Sequence, residues 1–184
     1  MILLRHGQSE FNLLFSATRR DPGLIDPQLT ELGHGQARDA ARKLQDQGIE
    51  RIIVSPYTRT LQTARPVAEA LGLPLIIDPM VRERFAFACD VGSSRSDLER
   101  QWPALDFAAL DPIWWPAEEE PEAGVIDRAA RFRTSLARRH DWRNTLVISH
   151  WGFILSLTGQ SVANGQWLQC DPTGPAPEGL VWRA

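Results

Sequence analysis

The chain is short of lysine, tyrosine and cysteine. Lys43 and Tyr57 are single occurrences in 184 residues, and Cys89 and Cys170 are the only cysteines. Two thiols so far apart have neither the density of a disulfide framework nor the spacing of a metal site. They are expected to be reduced thiols of a cytoplasmic protein. No apolar run nears the ~20 residues of a membrane span, and residues 2–4 are too few for the apolar stretch of a secretory leader, so no membrane contact is expected. A net charge of −3 supplies no basic surplus for nucleic acid. Repeats and low-complexity tracts are missing too, and nothing signals an oligomeric state.

What is present is ordinary for a globular protein: 43% hydrophobic and 23% charged residues, at a length that fits one domain over 1–184. Continuous apolar runs at 1–4, 51–55, 75–78 and 145–149 read as strands buried on both faces, with a fifth at 179–183 on an edge. Helical patterns lie between them. Thr30 caps a helix from Glu31 to about Gln47, with Leu32, Ala37, Ala40, Ala41 and Leu44 inward. Ser55-Pro56 starts a second helix, in which Pro66 predicts a kink or break. Val125, Ala129, Phe132 and Leu136 share the inner face of a third, running to about His140. Strands alternating with helices predict an α/β fold, a mainly parallel central sheet with helices on both faces. Residues 85–122 interrupt the alternation with Trp102, Trp114, Trp115 and the run Glu118-Glu119-Glu120. They read either as an insertion or lid over the strand ends or as a structural loop with a solvated acidic patch.

Functional residues cluster where strands end, which is where open α/β sheets keep their ligands. The first strand delivers Arg5-His6-Gly7. A neutral His6 can attack phosphorus while the Arg5 fork holds the phosphoryl oxygens and Gly7 permits close backbone approach. Asn12, near a helix start, adds an uncharged donor. After the second strand, Arg59 lies one turn into a helix whose N-terminus attracts anions; it reads as a second clamp, or as a surface arginine. After the third comes Glu83, a general acid if burial or a bound anion raises its pKa, or a partner for Arg82 or Arg84. After the fourth come His150, which if protonated adds positive charge opposite His6, and Trp151. Trp114, Trp115 and Trp151 read as a ring-stacking wall or as core, and Arg84, Phe85 and Phe87 as an entrance lining.

These segments resemble the histidine phosphatase superfamily, which contains cofactor-dependent phosphoglycerate mutase. The matching pieces are Leu4-Arg5-His6-Gly7-Gln8-Ser9-Glu10-Phe11-Asn12, Leu29-Thr30-Glu31-Leu32-Gly33-His34-Gly35-Gln36-Ala37, residues 55–64, Glu83 and Ser149-His150. The resemblance implies a three-layer α/β/α core of the phosphoglycerate mutase type, with no metal and no cofactor. It implies His6 as the phosphorylated residue, Arg5, Arg59 and His150 around the phosphate, Asn12 as a further contact and Glu83 as proton donor, with Gln8, Ser9, Thr30 and Gln62 in support. Two departures bear on substrate. Trp151 stands where members often have glycine, a costly choice if that position needs positive φ, and the residues after Glu83 do not follow the mutase pattern. The expected activity is metal-independent hydrolysis of a small-molecule phosphate monoester. The alternatives are a mutase-type phosphotransferase and a phospho-ligand-binding module without turnover.

Overall fold

The computed structural model describes residues 1–180 and 182. Four parallel strands are β1 (Ile2–Arg5), β2 (Arg51–Val54), β3 (Leu75–Ile77) and β4 (Thr145–Ser149), and β5 (Trp167–Gln169) is antiparallel to β1. Their spatial order is β3-β2-β4-β1-β5. The helices are α1 (Glu10–Thr18), α2 (Glu31–Leu44), α3 (Thr58–Leu71), α4 (Arg95–Gln101), α5 (Glu122–Ala137) and α6 (Trp151–Thr158).

Strand alternation assigns the two cores. Ile2, Leu4, Ile52, Val54, Leu146 and Ile148 face one way, onto Ala40, Ala41 and Leu44 of α2 and Leu61, Ala64 and Val67 of α3. Leu3, Ile53 and Val147 face the other way, onto Val125, Ala129 and Phe132 of α5 and Phe153, Ile154 and Leu157 of α6. Both faces of β4 are covered, as its unbroken apolar run requires. The result is the three-layer α/β/α sandwich expected from the sequence. Among the described residues, no helix is long and apolar enough to cross a membrane.

Several local expectations are corrected. The expected strand at 179–183 lies partly outside the described residues, and Gly179, Leu180 and Trp182 are in no strand. The free edge of β1 is taken instead by β5, in the register Ile2↔Gln169 and Leu4↔Trp167. Leu32 is 58% exposed, because at ~100° per residue it falls about a third of a turn from the face made by Ala37, Ala40 and Leu44. The helix expected at Ser55-Pro56 begins at Thr58, with Tyr57 as N-cap, and it runs unbroken through Pro66. Pro66 lies beside exposed Arg65, away from the buried Leu61, Ala64 and Val67. The packed face therefore holds the helix across the missing N–H. Trp114 is core: it is buried edge-on against Tyr57, with Trp115 packed on it. Only part of the acidic run is solvated, since Glu120 is buried between Arg82 and Arg128.

Candidate active site

Strand register brings the two histidines together. Arg5 pairs with Ser149 across β1 and β4, and the next N–H, that of His6, donates to Ser149 O at 3.0 Å. The rings of His6 and His150, one residue beyond each strand, are 5.1 Å apart.

His6 Nδ1 lies 2.7 Å from Gly7 O. A carbonyl only accepts, so Nδ1 carries the proton and Nε2 keeps its lone pair. Burial pushes the imidazole well below the usual histidine range, and the Arg59 and Arg5 charges push the same way. The ring is thus neutral at neutral pH. The loop that holds it is braced from α2. A Cβ on Gly7 would lie 2.4 Å from Gly33 O, and one on Gly33 would lie 2.1 Å from Gln8 O. Backbone touches backbone there, and only glycine permits it. The Thr30 N–H donates to Gln8 O, Gln8 N–H donates to Gln36, and Gly7 N–H donates to Thr63 Oγ1.

His150 is fully buried, caps α6 and lies behind His6 rather than on the cavity wall. Its Nε2 is 2.8 Å from Ser55 Oγ, and its buried Nδ1 has no partner among the described residues. Burial, then Arg59 and His6, holds it well below the usual histidine range. In the absence of an anion it is therefore neutral, and the positive charge that its protonated form would add is not present in that state.

Arg59 is no surface arginine. It is buried, donating to Cys89 O (2.7 Å) and Asp90 Oδ1 (3.1 Å), with its guanidinium 4.3 Å from the Tyr57 ring centre. Asp90 was not foreseen. Its other oxygen accepts from the Ala86 and Phe87 N–H groups, both at 3.1 Å, and Tyr57 OH donates to its carbonyl. Burial raises the Asp90 carboxyl while Arg59 and those two N–H groups pull it down. Burial outweighs them, so the net shift is upward, and the three donors on the carboxylate limit it. Arg5 donates to Val162 O at 2.8 Å, and its buried Nε has no partner among the described residues. Burial lowers Arg5 to about 10, still a cation at neutral pH.

Glu83 does not pair with its neighbours. Arg82 binds Glu120 and Arg84 binds Glu119. The Glu83 oxygens instead accept from Arg84 N–H (2.9 Å) and Gly152 N–H (3.2 Å). Burial raises its pKa, and Asp90 adds to the shift. Behind it, buried Arg128 donates to the carbonyls of Met80, Arg82 and Glu83 and makes a bidentate pair with Glu120. This fixes the backbone that carries Glu83. Gly152 leaves room for the carboxyl: a Cβ there would lie 2.6 Å from Glu83 Oε1. Gly152→Ala is expected to displace the Glu83 carboxyl and, if that group gives up a proton in turnover, to lower kcat by about 10- to 100-fold with a smaller change in KM; steady-state kinetics on the folded variant checks it.

Asn12 Oδ1 accepts from Ser9 N–H, Ser9 Oγ and Asn164 Nδ2, which turns the amide so that its NH2 end remains for a ligand. Asn164, also unforeseen, donates to His6 O as well. Trp151 is the first residue of α6 and is not among the positive-φ residues, so no backbone strain attaches to it. Its ring lines the cavity, donating from Nε1 to Ser161 Oγ. The cavity holds about 580 Å³ and is lined by Arg5, His6, Asn12, Arg59 and Glu83, with Arg84 and Phe87 but not Phe85 from the expected entrance. Among the described residues, no group of three or more His, Cys, Asp or Glu side chains is placed to hold a metal ion.

A family model described as histidine phosphatase superfamily (branch 1) matches residues 1–174. A Yersinia pestis (strain Pestoides F) protein named "Probable phosphoglycerate mutase GpmB" is 44% identical over 81 residues, 44% of this chain. That alignment spans only 36% of the relative's own length. Among solved structures, a mycobacterial glucosyl-3-phosphoglycerate phosphatase superposes with a TM-score of 0.63 at 24% identity, covering 91% of this chain and 87% of that one. A phosphoserine phosphatase from Entamoeba histolytica gives 0.62 at 20%, covering 90% and 87%. At those identities the likeness is one of fold.

Proposed function

The chain belongs to the histidine phosphatase superfamily, and from that premise we propose that it hydrolyses a small phosphate monoester through a phosphohistidine on His6. The observation that carries the reading is the Nδ1 bond of His6 to Gly7 O. It leaves a neutral ring with an unprotonated Nε2 in a cavity that also holds two guanidiniums and a carboxyl of raised pKa.

In the first step Nε2 attacks phosphorus, the P–O ester bond breaks, and protonated Glu83 gives its proton to the departing oxygen. Without that proton the alkoxide leaves poorly. Arg5 and Arg59 meet the charge on the phosphoryl oxygens. A bound dianion favours the protonated form of His150, which then adds positive charge from beside His6. In the second step Glu83 takes a proton from water, the oxygen attacks phosphorus, the P–N bond breaks, and phosphate leaves. The reading calls on no metal and no cofactor.

Mixing with labelled ester, followed by a quench in alkali, is expected to leave phosphate on the protein that is lost on acidification. Absence of that label at any quench time overturns the reading. The pH profile tests Glu83 separately. A general acid works while protonated, so kcat/KM falls as pH rises through the raised Glu83 pKa. Glu83→Gln is expected to remove that limb and lower kcat by about 10²- to 10⁴-fold for an alkyl ester.

The 44% identity to the mutase-named relative favours a second reading, in which the phosphoenzyme returns its phosphoryl group to a second hydroxyl. Incubation with 3-phosphoglycerate and a bisphosphoglycerate primer separates the two. Isomer exchange without phosphate release supports transfer.

A further inference from the structure

The cavity is much larger than a phosphoryl group needs, and the groups that would meet the phosphate lie at its buried end. His6 and Arg59 are each 3% exposed, and Arg5 and Glu83 belong with them at the buried end. Outward from these the lining turns aromatic. Phe11, Phe15 and Phe87 form one cluster, with ring centres 5.2 to 5.5 Å apart. Trp151 and Trp182 form a second, at 5.8 Å, with Val162 also in the lining. The outer arginines serve these rings. Arg19 lies over Phe15 at 5.4 Å and Arg84 over Trp182 at 5.5 Å. Arg84 is further engaged by Glu119 and the Glu120 carbonyl. A second phosphate or a carboxylate on the ester would have to draw these arginines off the rings and off Glu119 to offset its own desolvation. An apolar ring would instead bury its own surface against flat, stiff side chains that lose little freedom on contact.

We infer that the alcohol half of the substrate is an apolar, ring-bearing group, held by these two aromatic clusters while its phosphate sits among His6, Arg5 and Arg59. The inference rests on the phosphatase reading and goes beyond it by naming the class of ester.

The test compares 2-phenylethyl phosphate with ethyl phosphate. Their leaving alcohols have similar acidity, so the ratio of their kcat/KM values reports contact with the ring rather than leaving-group chemistry. The ratio is expected to be about tenfold or more, with 3-phosphoglycerate no better than ethyl phosphate. Phe87→Ala removes a side chain from a residue that is 41% exposed and is expected to cut the ratio by about threefold or more. Phe15→Ala repeats the measurement from the other side of the same cluster. A ratio near one, a preference for 3-phosphoglycerate, or a ratio unmoved in both variants overturns the inference while ethyl phosphate is still hydrolysed. Release of phosphate from none of the esters overturns the phosphatase reading, and this inference with it.

Discussion

His6→Asn is expected to lower kcat by about 10⁴-fold or more, some 5.5 kcal/mol of barrier, and to abolish the acid-labile label. Asparagine is the informative replacement. Its amide can still donate to Gly7 O, which His6 Nδ1 reaches at 2.7 Å, so the loop keeps its bond. Nothing takes the place of Nε2. Arg5 and Arg59 remain in the cavity lining, so inorganic phosphate should still bind. Calorimetry then shows an occupied pocket with no chemistry. Turnover within tenfold of the wild type would remove His6 from the nucleophile's role.

Asp90→Ala is expected to destabilise the protein by about 3–5 kcal/mol. The pair with Arg59 is buried, each side chain 3% exposed, so removing the carboxylate strands a guanidinium in low dielectric. It also frees the Ala86 and Phe87 N–H groups that share the other oxygen. Phosphate offers Arg59 a replacement anion. Saturating phosphate is therefore expected to raise the Tm of the variant more than that of the wild type, since a ligand bound only by the folded state stabilises it by mass action. Equal shifts in the two proteins would mean that Arg59 does not meet the anion.

The sequence exposed those parts of the site that follow a strand. Apolar runs located β1, β2 and β4 to within a residue, and the polar residues just beyond them had nowhere to go but the same edge. That is why Arg5, His6, Arg59, Glu83 and His150 converge. Tertiary company was not legible. Asp90 sits in a short turn with no periodicity, and its role exists only because α3 aims Arg59 at it. Gly152 matters for the Cβ it lacks, which no local pattern reports. Arg128 lies on a helix face otherwise read as apolar, yet its guanidinium organises the carbonyls around Glu83. Trp114 illustrates the reverse: an aromatic in an irregular segment suggests a ligand wall, but packing against Tyr57 claims it. The edge strand was misplaced because β5 has three residues, too few for alternation to show.

The position of β4 between β1 and β2 governs how the molecule comes into being. During synthesis residues 1–140 emerge with β1 and β2 facing an empty slot, each lacking the neighbour that satisfies one of its edges. His6, Arg5 and Arg59 are made before β4, but they have no common frame until residues 145–149 are threaded between β1 and β2. The arrival of residues 145–149 is thus the moment when the sheet closes and the candidate site is assembled, in a topology whose long-range pairings favour slow closure. Until then the two unfilled edges are the part of the nascent chain most in need of protection from other strands.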